Sequence, residues 1–356
     1  MIDRSLNTSL KSTLITPSSK PLIVPRDTAL KKYSSAIMLY TDLNYVTLVQ
    51  LNLKYIIKRR ISTGSFGTIY EVLSEDDNKV YALKELTNID TVTKQRFERE
   101  VIVLSQLDHP NIVKVIQWNM GGDPPNFYPY YVMEYLSGGS LSQHMNEKFR
   151  SDDQYYFDVK WTISRIILPV CNALAQAHSS NIYHRDLKPS NIMFVDNTRS
   201  AIKIADWGLV KVDLASGKVD NSDSTSSPAI DVDRRSLELT AVVSEGNIGG
   251  TPDYCSPEQW FASVRKNDRL IDGRTDIFSL GVIFYEMLTR RRPPPYDPNN
   301  PNLNRAPVEA PSKYNSLISP QLEECVLKMI DLESENRQQS IWDLISEVEI
   351  LPDNSL

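Results

Sequence analysis

The sequence predicts an α+β protein of two lobes, a small antiparallel β-sheet carrying one main helix and a larger, mainly α-helical body. Three observations predict it. Strand-like runs broken by turn residues fill 55–86, a single amphipathic helix follows at 93–107, and beyond "SGGS" (137–140) apolar residues recur at helical spacing to about 350. With 356 residues, 41% of them hydrophobic, the chain is long enough to build a core for both lobes.

Residues 1–35 are rich in Ser, Thr, Pro and Lys without a sustained apolar period, which predicts a mostly flexible arm; 36–53, "AIMLYTDLNYVTLVQLNL", is apolar enough to pack on the domain after it. "YIIKRRIS", "TIYEVLS" and "VYALKEL" read as an antiparallel meander, with "EDDNK" as the turn between the last two. In "TKQRFEREVIVLSQL" the residues Phe97, Val101, Leu104 and Leu107 recur at spacings of four and three, one face of a helix. Two further strands are expected at 112–118 and 130–135, and helices with apolar faces at 159–179, 275–289 and 320–331. Pro169 inside the first of these predicts a kink or local break. We divide the chain into an N-terminal extension, 1–54, a catalytic-sized domain, 55–350 (small lobe 55–136, large lobe 137–350), and a tail, 351–356. Within the domain, 213–247 is crowded with Ser, Asp, Glu and Thr and reads as an inserted, conditionally ordered part of the segment 206–258.

Bulk properties exclude several classes. A net charge of −6 with both signs interspersed gives no direct nucleic-acid signal. Three isolated cysteines, Cys171, Cys255 and Cys325, form neither a disulfide framework nor a zinc site and fit a reducing compartment. No basic start with an apolar run and no membrane span is evident, so the expected location is cytoplasmic.

The residues that carry chemistry lie in the loops. "STGSFGTIY" joins two predicted strands, and its small residues Ser62, Gly64 and Gly67 let main-chain N–H groups approach an anion. Alone, it fits an ordinary glycine-bearing hairpin equally well. Seventeen residues after Gly67, Lys84 stands on a half-buried strand and needs a carboxylate partner; Glu100, close to the apolar face of the following helix, is the expected one, with Glu98 as its competitor. In "HRDLKPSN" (184–191) a carboxylate, a lysine and an asparagine sit two and three residues apart, and fifteen residues further "IKIADWGLV" delivers Asp206 from a strand into a turn. Asn191 and Asp206 offer the hard oxygen ligands that suit magnesium. Asp186 can take the proton of an attacking hydroxyl while Lys188 offsets charge on a moving phosphoryl group.

In this order and spacing, the motifs from about 55 to 350 resemble the eukaryotic-type serine/threonine protein kinase family. They are the glycine loop ending at Gly67, "YALK", Glu100, "VMEYL", "HRDLKPSN", "DWG", "GTPDYCSPE", "DIFSLGVIFYEML" and Arg337, placed to pair with Glu258. The resemblance implies the bilobal protein kinase fold, with ATP and Mg2+ as cofactors and a protein as substrate. It implies a nucleotide site made by Ile61, Ser62, Gly64, Ser65, Phe66, Gly67, Ile69, Ala82, Lys84, Glu100, Met133, Glu134, Leu136 and Met193, with Met133 gating the back pocket. Asn191 and Asp206 would hold the metal, Asp186 and Lys188 would be catalytic, and Thr251 would support the substrate platform. Lys188 and "GTPDY" are similar to the serine/threonine branch.

"HRDLKPSNI", "WGLV", "SPEQ", "TDIFSLGVIFYEML" and the long insertion are together similar to the kinases of the alpha subunit of translation initiation factor 2, which would imply homodimerisation through the small lobe. The small-lobe insertion those kinases often carry is absent; only "NMGGDPPNFYP" separates the strands. Other departures are Ser62 for the first loop glycine, Trp207 for the usual Phe, and Ser256 for Ala, the last expected to be minor. Trp207 is a larger apolar residue expected in a packed pocket. Arg185 before the catalytic Asp implies control by phosphorylation of the activation segment, with Thr240 and Ser244 as candidate acceptors and Ser222 to Ser227 as a second group. The alternative is a pseudokinase, a nucleotide-binding scaffold of the same fold; the retention of Lys84, Glu100, Asp186, Asn191 and Asp206 argues against it.

Overall fold

The structure, a computed structural model, describes residues 23–25, 37–42, 45–49, 55–64, 67–87, 90–120, 128–152, 154–208, 211–212, 252–265, 271–296 and 307–351. The chain divides into two compact units, Met1–Arg60 with Tyr70–Val80, and Ile61–Ile69 with Tyr81–Leu356. The first contains a small antiparallel sheet of β1 (Ile23–Pro25), β2 (Ile37–Asp42) and β3 (Tyr45–Val49) in the order β1-β3-β2. Ile23 and Leu39 both face Thr47 from opposite sides, so β3 is the central strand. β1 falls inside the stretch expected as a flexible arm.

The expected meander is present as β4 (Tyr55–Thr63), β5 (Thr68–Ser74) and β6 (Val80–Glu85), joined to β7 (Val115–Asn119) and β8 (Tyr130–Glu134) in a five-stranded sheet of order β4-β5-β6-β8-β7. The alternating burial of β5 is the period-two pattern of a strand with one face on a core. In the "EDDNK" turn Asn78 takes a φ of 56°, a left-handed conformation that asparagine tolerates, and Ser74 N–H reaches the Lys79 carbonyl at 2.9 Å.

α1 (Thr91–Gln106) starts where Asp90 caps it, accepting from Thr93 N–H at 3.0 Å, and buries Phe97, Val101, Val103 and Leu104. Helices α2 (Leu141–Ser151), α3 (Val159–Thr162), α4 (Leu168–Ser179), α5 (Pro257–Arg265), α6 (Arg274–Thr289), α7 (Pro320–Met329) and α8 (Ile341–Glu349) make the rest mainly helical, as expected. α2 is opened by a capping box in which Ser140 and Gln143 satisfy each other's backbone N–H groups. Between α3 and α4 the chain runs through a π-helical turn, Ile163–Ile167, in which Leu168 N–H bonds the Ile163 carbonyl five residues back. The turn stands where Pro169 would clash with a regular helix and lacks a donor, so the expected break takes the form of a widened turn. After α4 a short strand, β9 (Ile182–Tyr183), pairs antiparallel with Lys211–Val212 and leads into the loop 184–191.

α6 is the centre of the helical core: of Thr275–Thr289 every residue except Glu286 is buried. A helix apolar all round is a helix surrounded. Gly281 is there because α7 crosses so closely that a Cβ would sit 2.6 Å from that of Met329. Asp276 is fully buried in the first turn of this helix, and its carboxylate leads to the site.

Candidate active site

Two hairpin-like placements bring distant residues together. β10 (Ile192–Phe194) and β11 (Ile202–Ile204) pair antiparallel with Ile192 opposite Ile204, so Asn191, just before one strand, meets Ala205, just after the other. Ala205 N–H donates to the Asn191 carbonyl at 2.8 Å, placing Asn191 and Asp206 at one mouth. On the sheet, β6 and β8 pair so that Ala82 faces Met133 and Lys84 faces Tyr131. Ala82 and Met133 are buried side by side, while Ile69 and Leu136 pack half-buried on the same core.

Lys84 resolves the competition for a partner. Its ammonium lies 2.8 Å from both oxygens of Glu100 and 3.2 Å from Asp206 Oδ1, while Glu98 pairs instead with Lys94 at 3.9 Å on the helix surface. Burial alone would lower the Lys84 pKa, but Asp206 and Glu100 hold it well above its ordinary value. Asp206 is in turn held below the usual carboxylate range, chiefly by Lys84. Burial pushes the Glu100 carboxyl up against the pull of Lys84. One open cavity brings Lys84, Glu100, Asp186 and Asp206 to a common wall.

The glycine loop approaches β6 so closely that a Cβ on Gly67 would lie 2.2 Å from the Glu85 carbonyl oxygen. No side chain fits there. Gly64 N–H closes the loop onto the Gly67 carbonyl at 2.9 Å. Ile61 and Ser62 are exposed at the end of β4. Met193 is half-buried on β10, bridged to Ser140. Ser65, Phe66, Thr251, Thr240 and Ser244 lie outside the described residues, as does the second serine group.

The loop 184–191 is held from several sides. Asp276 accepts from His184 N–H at 2.9 Å and from Arg185 N–H at 2.8 Å, and His178 Nε2 lies 2.8 Å from the same carboxylate. Arg185 adopts φ 66°, a costly conformation for a non-glycine residue, worth about 1–3 kcal/mol. Its carbonyl accepts from Gln259 Nε2 at 2.6 Å, so that strained peptide is clamped at both ends. Gln259 is positioned by Ser256, whose N–H and hydroxyl both donate to Oε1, at 3.1 and 3.2 Å. Ser256 Oγ also lies 2.5 Å from Thr275 Oγ1, and the two hydroxyls, with one proton each, share their donors among Gln259, Glu258 and each other. Alanine in this place would keep the N–H bond to Gln259 and lose the two hydroxyl contacts.

Lys188 Nζ donates to Asp186 Oδ2 at 2.7 Å, and Asn191 Nδ2 donates to the Asp186 carbonyl at 2.8 Å. Spending the amide NH2 this way leaves Asn191 Oδ1 as the oxygen for a cation. Asn191 and Asp206 fit a magnesium ion, which takes a few protein oxygens and completes its shell with water and phosphate. Trp207 is fully buried with its ring 4.7 Å from that of His184, filling a packed pocket; its indole N–H meets no acceptor among the described residues.

The carboxylate of Glu134, at the end of β8, is half-buried. It accepts from Lys114 N–H at 2.7 Å and pairs with Lys203 of β11 at 2.7 Å, tying the end of β8 to the strand that leads to Asp206. Glu258 receives two Arg337 nitrogens at 2.7 and 2.9 Å, the pairing expected from the sequence. Sequence reasoning missed Tyr131, Gln259 and Asp276 as site residues. Only Asp276 left a signal, a lone acid in the apolar run "DIFSLGVIF".

A two-lobed α+β chain with a lysine–glutamate pair beside two metal-type oxygens is built like a phosphotransferase. The description "Protein kinase domain" matches residues 55–347, and the chain belongs to that family. It is 28% identical over 297 residues to the serine/threonine-protein kinase pkn3 of Myxococcus xanthus, covering 81% of this chain and 48% of that protein. It is 30% identical over 291 residues to Pkn1 of the same organism, covering 80% of this chain and 36% of that one. With the probable serine/threonine-protein kinase nek2 of Dictyostelium discoideum it shares 30% over 285 residues, 78% of this chain and 58% of the relative. The chain thus spans between about a third and three-fifths of the length of these relatives.

Proposed function

We propose that the protein is an ATP-dependent serine/threonine protein kinase. The observation that carries this reading is the Lys84–Glu100 pair at 2.8 Å with Asp206 3.2 Å away, an assembled set of the groups that phosphoryl transfer requires. ATP would supply the γ-phosphoryl group and magnesium would neutralise its charge. Lys84 would bind phosphate oxygens, Asn191 and Asp206 the metal, and the glycine loop would cover the phosphates with main-chain N–H groups. Asp186 orients the acceptor hydroxyl and takes its proton, and Lys188, 2.7 Å from that carboxylate, adds positive charge where the phosphoryl group passes. Lys84, Glu100 and Asp206 are bonded as one set and Asp186, Lys188 and Asn191 as another, and the retention of all of them favours catalysis over a scaffold.

Four finer points belong to the same reading. The substrate is the alpha subunit of translation initiation factor 2, supported by the motif likeness and the long insertion; dimerisation through the small lobe and a cytoplasmic location go with it. The activation segment is controlled by phosphorylation, supported by the arginine preceding Asp186. No helix among the described residues is long and apolar enough to cross a membrane.

The test is transfer of labelled γ-phosphate from Mg-ATP by wild type and Asp186→Asn, with initiation factor 2 and a generic basic protein as acceptors. Transfer lost in the variant supports catalysis, and preference for the factor supports the substrate. No transfer by wild type, even after incubation with ATP, moves the reading to a scaffold. Phosphopeptide mapping of active protein that finds 213–248 unmodified removes the regulatory point.

A further inference from the structure

The phenol hydroxyl of Tyr131 bonds the acid on which the placement of Lys84 depends. Tyr131 is 1% exposed on β8, directly opposite Lys84 in the strand pairing. Its hydroxyl donates to Glu100 Oε1 at 2.8 Å, the same oxygen that Lys84 reaches at 2.8 Å. Its ring lies 5.3 Å from Phe97, one helical turn before Glu100, and 5.7 Å from the Lys84 ammonium. The phenol therefore joins β8 to α1 through both its apolar ring and its polar tip.

Glu100 is 2% exposed, so no bulk water can take over a lost bond. Lys84 has to serve Glu100 and phosphate oxygens from one flexible four-carbon stem, and it is already shared with Asp206. A lysine so divided cannot alone fix the rotamer of its partner. A second donor can, provided it comes from rigid structure; an aromatic side chain with two torsions, packed on a central strand, is such a donor. Buried polar contacts of this kind specify one arrangement when every member is satisfied.

We propose that Tyr131 is a positioning residue for phosphoryl transfer: its hydroxyl fixes the Glu100 carboxylate, and with it α1, in the orientation that presents Lys84 to the nucleotide phosphates. It acts through Glu100 and touches no reacting atom. The kinetic consequence rests on the proposed kinase activity; the anchoring of α1 does not.

The experiment compares wild type, Tyr131→Phe, Glu100→Gln and the double variant. Tyr131→Phe keeps the ring and removes one oxygen. In γ-phosphate transfer it is expected to lower kcat/KM for Mg-ATP by about tenfold, the scale of one hydrogen bond to a charged group. In the Glu100→Gln background the same change should cost less than about twofold, because the two residues act as a unit. Amide hydrogen exchange over Thr91–Gln106 should be faster in Tyr131→Phe, with exchange over Arg274–Thr289 unchanged. A purely structural hydroxyl would lower the melting temperature and leave kcat/KM and α1 exchange at wild-type values, and that result overturns the proposal. Equal kinetic losses in the wild-type and Glu100→Gln backgrounds overturn it as well. If wild type transfers no phosphate, the proposed function fails, and the exchange comparison alone decides the anchoring: faster supports it, unchanged refutes it.

Discussion

Replacing Arg337 by Met should destabilise the large lobe strongly, because it strips a buried carboxylate of its counter-charge. The Arg337 side chain is 0% exposed and that of Glu258 13%, and the guanidinium makes two bonds to the carboxylate and three to the carbonyls of Asp331, Leu332 and Arg274. It also lies 4.8 Å from the Phe278 ring centroid. Met keeps part of the apolar stem and removes the charge. Glu258 then stays largely buried and keeps the neutral hydroxyl of Thr275, whose Oγ1 donates to it at 3.0 Å. Breaking a buried pair from one side costs about 3–5 kcal/mol. At about 2–4 °C per kcal/mol for a domain of this class, the melting temperature should fall by about 6–20 °C. Differential scanning calorimetry measures it, and removing both charges with Arg337→Met and Glu258→Gln should recover part of the loss. A fall of less than about 3 °C for the single variant would refute the reasoning, since the pair would then behave as an exposed one.

Other outcomes are equally concrete. Asp186→Asn should reduce kcat for phosphoryl transfer by about 10²–10⁴-fold while nucleotide affinity, measured by calorimetry, holds. Gln259→Leu leaves the Arg185 carbonyl without its side-chain donor, a cost of about 1–3 kcal/mol, and should lower kcat with KM for ATP nearly unchanged. Ser256→Ala should move kcat in the same direction by a smaller factor, because it loosens Gln259 without deleting it. Burial, with Arg199 and Lys148 nearby, lowers the His144 imidazole to about 4. Between about pH 6.5 and that value the unfolded chain binds a proton the folded chain refuses, so stability declines as pH falls through this window. Urea midpoints at about pH 7 and about pH 5 should therefore separate more for wild type than for His144→Gln; equal separations would contradict the assignment.

The sequence made legible whatever is local. Strand and turn chemistry set β4 to β6 to within a residue or two, the four-and-three spacing of Phe97, Val101 and Leu104 set the buried face of α1, and Pro169 marked the break before α4. The order of motifs brought out Lys84, Asp186, Asn191 and Asp206, because each stands in a short run whose neighbours constrain it. Tyr131 and Gln259 were invisible for the opposite reason. Their partners lie 31 and 74 positions away, and a tyrosine on a buried strand or a glutamine on a helix is ordinary until the pairing of β6 with β8 or the packing of α5 defines what it faces. Glu100 could be set ahead of Glu98 because it lies close to the apolar face of α1, the face that packs toward Lys84.

The bond of Glu134 to Lys203 bears on how a charged small molecule would meet this end of the sheet. A cationic group brought to Glu134 would find its charge already matched by Lys203 and one of its oxygens also holding a main-chain donor, so it would gain little there.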